Sequence, residues 1–427
     1  MKRMKLSGWL KCIRALVILF VLIFVLFIAI RAFLNSSIIV DMVCPPTSEY
    51  NDEPIEDELD NLIDEARFMF RGYFYEEALE LLASEEHFAD HPDVIKLRDE
   101  ITYEKENLVL WEGDVRHIFT HSLVLYPEYL FPDLTVSSPY SDYFIFLSEF
   151  ERILPQLLER GYVLYNVHDI IERDAYGNII RNNIYLPPGR MPLIFSLDDP
   201  TLHYGVGLAN RFLINEEGQL RTEVITPEGE TIITDNGDVQ LVLNDFVRDH
   251  PEFSWRGHKG IIAATGFMGI FGYDLEDLED PVLRAEALAV IDYLKDTGWI
   301  FASHSHTHNS YGFFGSNTQI SNIELDTKWW LEYMQPIVGE TSIFIAPFGW
   351  TLQQGPERDV LINNGFYIYM NVDFNQRIEI FDDHVLMGRV EIGGTALQLY
   401  PDFLNTYFFD VESVIDPHRP IHSTQDQ

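Results

Sequence analysis

Residues 259–308 read KGIIAATGFMGIFGYDLEDLEDPVLRAEALAVIDYLKDTGWIFASHSHTH. An apolar run ends at Thr265-Gly266, apolar residues at helical spacing follow from Leu283 to Gly298, and a second apolar run from Trp299 leads into three alternate histidines. Strand, helix, strand is the order of two parallel strands, because a parallel return needs a crossover of about a dozen residues or more. Upstream lie HIFTHSLVL (117–125) as a strand, FLSEFERILPQLLERG (146–161) as a helix, then YVLYNV (162–167) and PLIFSLDD (192–199) as strands. Downstream follow the helix TKWWLEYMQPIV (327–338), the strand SIFIAPFG (342–349), the helix PERDVLINNG (356–365) and the strand FYIYMNV (366–372). This alternation predicts an α/β fold with parallel strands, a (β/α) barrel. One stretch departs from it. LINEEGQLRTEVITPEGETIITDNGD (213–238) carries Glu-Gly and Asn-Gly turn signals and reads as hairpins, so about 200–257 is expected to be an insertion over one barrel end.

Composition narrows the setting. The chain has 427 residues, 47% of them hydrophobic, which is ample for a large core. Its net charge of −39 excludes nucleic acid as a partner, since phosphate binding needs a basic face. The two cysteines, Cys12 and Cys44, support neither a disulfide framework nor a zinc ribbon. Residues 15–34 are apolar except for Arg31 and long enough to span a bilayer. Lys2, Arg3, Lys5, Lys11 and Arg14 precede the run, and no acidic residue appears before Asp41. That asymmetry predicts a cytoplasmic tail (1–14), an uncleaved signal anchor in a bacterial cell membrane (15–34), and everything after it outside. Residues 35–50 read as a linker. Residues 51–110 read as an acidic helical segment, broken at Arg71-Gly72 and closed by Pro92, which resembles a single tetratricopeptide-type hairpin and is expected to pack on its neighbour. Residues 111–427 form the main domain.

Barrel chemistry sits at the C-terminal ends of strands. The polar ends here are SLDD (196–199), SHSHTH (303–308) and APFGW (346–350). Asp198 and Asp199 could divide two carboxylate roles between them, although Asp-Asp-Pro is also a natural strand terminator. His304 and His308, four apart, share a face in a turn, and two imidazoles with one carboxylate suit zinc or a similar divalent ion. The alternative is a set of strand histidines bonded to backbone. Phe348, Trp350, Trp329 and Trp330 are candidates to stack on sugar rings or to fill the core.

Together these stretches resemble the NodB-homology polysaccharide deacetylases over roughly residues 115–395. SLDD is similar to that family's T-F-D-D motif, HSHTH to H-[ST]-x-[ST]-H, and FIAPFGW to R-x-P-Y-G. The resemblance implies a distorted seven-stranded barrel, Asp198 as general base, and Asp199, His304 and His308 as ligands of a divalent ion, zinc above all. Phe348 would give its backbone N–H to the oxyanion. His306 falls at the variable position. The third motif's arginine is replaced by Ile345, and the family's late L-x-H motif is missing. HIFTHSLV instead resembles the Y-H-x-[IV] segment of circularly permuted members, which makes His121 the general acid, with His117 and His384 as rivals. MGRVEI (387–392) resembles an arginine strand of that subgroup and brings in Arg389. The implied activity is removal of N-acetyl groups from an N-acetylhexosamine polymer, peptidoglycan or exopolysaccharide, outside the membrane. It would be a hydrolase of carbon–nitrogen bonds other than peptide bonds. The alternatives are an O-acetyl polysaccharide esterase and a non-catalytic wall-binding protein on a decayed barrel.

Overall fold

The computed structural model describes residues 53–200, 205–352 and 355–422. The tail, the apolar run at 15–34, the linker and both cysteines lie outside them. Among the described residues no helix is long and apolar enough to cross a membrane.

In chain order the principal strands are β1 (Arg116–Thr120), β2 (Tyr162–Leu164), β3 (Met191–Asp198), β4 (Ala209–Ile214), β5 (Leu220–Ile225), β6 (Thr231–Thr234) and β7 (Gly260–Ala264). They continue as β8 (Trp299–Ser303), β9 (Ile343–Ile345), β10 (Ile368–Val372) and β11 (Val385–Glu391). Seven of them, β1, β3 and β7 to β11, close a parallel barrel in chain order, and β11 returns to pair with β1. β2 lies along the N-terminal part of β3.

Strands buried on both faces need apolar residues at every position, and the barrel supplies two cores. Ile194, Ile261, Ala263, Ala302, Ile343, Ile345, Ile368, Met370, Val385 and Met387 fill the interior. Their alternate neighbours Phe195, Leu197, Ile262, Phe301, Phe344 and Tyr369 face the helices. The helix α6 (Pro281–Asp296) illustrates the outer layer. Asp280 caps its first turn by accepting from the Val282 and Leu283 N–H groups, and Pro281 sits at the first position, where no N–H is needed. Ala287, Val290, Ile291 and Leu294 form its buried stripe, each large side chain contributing about 1.5–3 kcal/mol. Gly298, at φ 98°, turns the chain from α6 into β8. A Cβ there would meet the Gly257 carbonyl at 2.0 Å.

Two expectations need correction. The helical segment has three helices, α1 (Glu53–Arg71), α2 (Tyr75–Ser84) and α3 (Pro92–Glu106). Pro92 opens α3 rather than closing its predecessor, because a proline at the first helical position forfeits no bond and His91 caps the turn. The segment packs on the N-terminal end of the barrel: Tyr73 stacks on Trp255 at 4.8 Å, and Arg71 pairs with Glu252 at 2.7 Å. The hairpin insertion is also shorter than expected. β4, β5 and β6 form an antiparallel sheet, but α5 (Val239–Asp249) follows at once. Asn236-Gly237 leads into that helix instead of turning a hairpin, and Asp238 both caps it and accepts from the Leu123 N–H.

Candidate active site

The inward parity of the strands assembles the site. On β3 the interior series runs Ile194, Ser196, Asp198; on β11 it runs Val385, Met387, Arg389, Glu391; on β8 it continues from Ala302 to His304. His117 and Phe119 point inward on β1, so His121 emerges at the same C-terminal mouth. A period of two thus delivers six side chains, Thr265 included, to one end of the barrel.

Asp199, His304 and His308 each present a ligand atom within 4.8 Å of the others. His304 Nε2 lies 3.8 Å from Asp199 Oδ2, and His308 Nε2 lies 3.4 Å from the same oxygen. Tetrahedral coordination with bonds of ~2.0–2.1 Å places donors roughly 3.3 Å apart, so the set is close to coordinating separation. The chemistry also fits. His304 Nδ1 is 2.9 Å from the Ile345 carbonyl, which can only accept; the proton must sit on Nδ1, and Nε2 turns its lone pair toward Asp199. Thr265 donates to Asp199 Oδ1, leaving Oδ2 on the side of the imidazoles. Burial pushes the His304 imidazole below its ordinary value, against the pull of Asp199 and Asp198, which favours the neutral form that a ligand needs. Burial raises the Asp199 carboxyl, but His304 and His308 outweigh it and hold the group ionised.

Asp198 is 3% exposed, and its Oδ2 lies 4.0 Å from His304 Nε2. Arg389, 1% exposed, grips it through two bonds, Nη1 to Oδ1 at 2.7 Å and Nη2 to Oδ2 at 2.9 Å. Burial would raise this carboxyl, yet Arg389 first and His304 next hold it well below the usual carboxylate range. The arginine that engages Asp198 therefore comes from β11. Ser196 also accepts from Arg389 at 3.0 Å, and Phe119 lies beneath the guanidinium at 4.0 Å.

His121 stands just beyond β1, its ring 6.1 Å from those of Phe119 and Tyr143 and 5.8 Å from that of Phe144. Burial lowers its pKa. Its Nδ1 is 3.8 Å from Glu391 Oε1, and burial, with help from Asp198, pushes Glu391 up to about 8. The rivals sit elsewhere. His117 is buried deeper in the barrel against Ser196 at 2.9 Å, and His384 precedes β11 at the far end, held by Asp383 and Arg358. His306 turns outward between Trp329 and Tyr333, 5.6 Å from each ring. Trp330 is core, fully buried and bonded to the Ala264 carbonyl, which removes it from the sugar-stacking candidates. Phe348 lies exposed in a left-handed turn (φ 57°) with its ring 4.5 Å from that of His308.

Three residues escaped the sequence reading. Glu391 lies two positions beyond Arg389 on the same strand, so strand parity alone would have placed it at the mouth. Thr265 ends the run GIIAA as the aspartates end theirs. Asp326 is a carboxylate on the buried stripe of a helix, α7 (Ile320–Tyr333), beside Ile323 and Trp330.

No family model matches the chain, and no curated protein matches it. Among solved structures it is similar to the Streptococcus pyogenes deacetylase PplD in complex with acetate, at 10% identity and a TM-score of 0.36, covering 67% of this chain and 94% of that one. It is also similar to a de-N-acetylase from Aggregatibacter actinomycetemcomitans, at 13% identity and a TM-score of 0.37, covering 66% and 95%.

Proposed function

We propose that the chain is a metal-dependent hydrolase that removes N-acetyl groups from an N-acetylhexosamine polymer. The observation that carries this reading is the division of labour between adjacent carboxylates: Asp199 converges with His304 and His308, while both oxygens of Asp198 are engaged by Arg389.

Asp199, His304 and His308 would hold a divalent ion, which when bound would supply Lewis acidity toward an acetyl carbonyl and an attacking water. Asp198, ionised and fixed by two charge-assisted bonds, accepts the proton that the water loses. The Phe348 backbone N–H donates to the carbonyl oxygen as its negative charge develops. The departing amine needs a proton, and Glu391, 3.8 Å from His121 Nδ1 and raised to about 8 by burial, carries one beside that imidazole. His121, at the mouth, delivers it while Glu391 restores it. Acetate leaves, and a free amine remains on the sugar. Exposed rings at the mouth, Phe348 and Trp350 on one side and Tyr143 near His121 on the other, support stacking on sugar faces.

The apolar run at 15–34 and the positive charge before it support a reading in which this chemistry lies outside a bacterial membrane. Protease added to intact spheroplasts is expected to remove the barrel, and protection contradicts that placement. The activity is tested with a chitooligosaccharide, counting acetate and new amine together. One amine per acetate, abolished by chelator, is the expected result. Release that chelator leaves untouched contradicts the proposal, and acetate without amine from an O-acetylated glycan favours the esterase alternative.

A further inference from the structure

His304 is placed by its strand, but His308 reaches Asp199 only because the chain doubles back through Ser305, His306 and Thr307. That reversal needs left-handed backbone at Ser305 (φ 64°) and His308 (φ 43°), a conformation that residues with a Cβ keep only where their surroundings enforce it. The peptides of the turn are pinned from two directions. On one side the Gly266 and Phe267 N–H groups donate to the Ser305 and His306 carbonyls, at 3.0 and 2.8 Å. Gly266 allows this approach, since a Cβ there would meet the His306 ring at 2.2 Å. On the other side stands Asp326. Its Oδ1 accepts the His306 N–H at 3.0 Å, and its Oδ2 accepts the Thr307 N–H at 2.8 Å and the Thr307 hydroxyl at 2.7 Å.

We propose that Asp326 is a positioning residue for the metal ligands, fixing the 305–308 turn so that both imidazoles converge on Asp199. This rests on the metal-site reading above. A purely structural role fits the carboxylate poorly. Asp326 is 0% exposed, and among the described residues no lysine or arginine pairs with it, so the helix buries a carboxyl whose desolvation no counter-ion offsets. What it gains is the three donors of the turn, and two of them are the peptide N–H groups lying between His304 and His308.

The test is calorimetric titration of zinc into the chelator-stripped full chain, alongside thermal unfolding of the metal-free protein by circular dichroism. Asp326→Asn keeps the size of the side chain but opposes an amide N–H₂ to donors. Zinc affinity is expected to fall ~10–100-fold, as it does when supporting groups of a metal site are lost. The metal-free unfolding midpoint should stay with that of the parent. Thr307→Val removes the hydroxyl donor alone and should lower affinity by a smaller factor; it decides the matter if Asp326→Asn does not fold. His308→Ala is the control. If the parent and His308→Ala both fail to bind zinc, the metal-site reading fails and this proposal falls with it. If the parent binds, His308→Ala does not, and Asp326→Asn or its substitute binds within twofold of the parent, the positioning role alone is overturned.

Discussion

Replacing Arg389 with methionine isolates the electrostatics of the base. The methionine stem keeps the apolar contact with Phe119, but both donors to Asp198 vanish and the carboxyl stays where it is, 3% exposed. Breaking a buried pair by removing one partner costs about 3–5 kcal/mol when the survivor remains charged. The survivor has an escape, which is to bind a proton. At about 1.36 kcal/mol per pKa unit, that penalty corresponds to a rise of roughly 2–4 units. The sign follows from linkage. In the parent, the folded pKa of Asp198 lies below that of the unfolded chain, so its contribution is present above about pH 4 and is lost only as pH falls through the depressed value. In the variant that rise, counted from the depressed parent value, returns the folded pKa to about the unfolded one, so the contribution is gone. The gap between parent and variant should therefore be smallest in strong acid, open as pH rises toward about 4, and stay open at neutrality. Urea unfolding of both metal-free proteins at pH 3 and pH 7 measures it, and the acidic limb of the kcat/KM profile should move up in the variant. Equal stability at pH 7 with an unmoved limb would refute the reasoning. Arg389→Lys, which keeps the charge but not the two-pronged geometry, should fall between.

Other outcomes follow from the same geometry. His304→Ala and His308→Ala should each strip the bound ion, while His306→Ala, whose ring faces Trp329 and Tyr333, should retain most of it by metal analysis; equal loss in all three would mean the wrong pair has been assigned. His121→Ala should keep its metal and lose ~10²–10⁴-fold in turnover of an N-acetyl substrate, but less on an activated ester, whose leaving group needs no proton. A wild-type rate on a chitooligosaccharide would remove His121 from the mechanism. Glu391, raised to about 8, stays protonated in the folded chain between about pH 4.5 and 8 while the unfolded chain loses that proton, so it makes stability fall with rising pH across that window. Glu391→Gln should flatten the decline in denaturation curves taken across it, and an unchanged slope would show that Glu391 is ionised.

What the sequence disclosed follows from which residues carry local signals. The parallel barrel was legible because βαβ alternation is a local pattern, and Asp198, Asp199, His304 and His308 because they end strands whose C-terminal ends share one mouth. Arg389 was legible only through a resemblance; nothing local says that an arginine on β11 meets an aspartate 191 positions earlier. The helix Val239–Asp249 was missed because Asp-Asn-Gly reads as a hairpin turn, and only the long-range bond from Leu123 to Asp238 reveals the cap. Asp326 was hidden in the same way. A lone acid on a helix looks like surface until the turn that donates to it, some twenty residues upstream, is folded against it.

The central claim is that two adjacent aspartates do different work, and one comparison tests it directly. Metal content and acetate release from a chitooligosaccharide are measured on the same preparations of Asp198→Asn and Asp199→Asn. Asp198→Asn is expected to hold its metal at the parent stoichiometry and lose at least ~10²-fold in turnover, while Asp199→Asn loses the metal and the activity together. Loss of metal from both, or release by Asp198→Asn at the parent rate, contradicts the account.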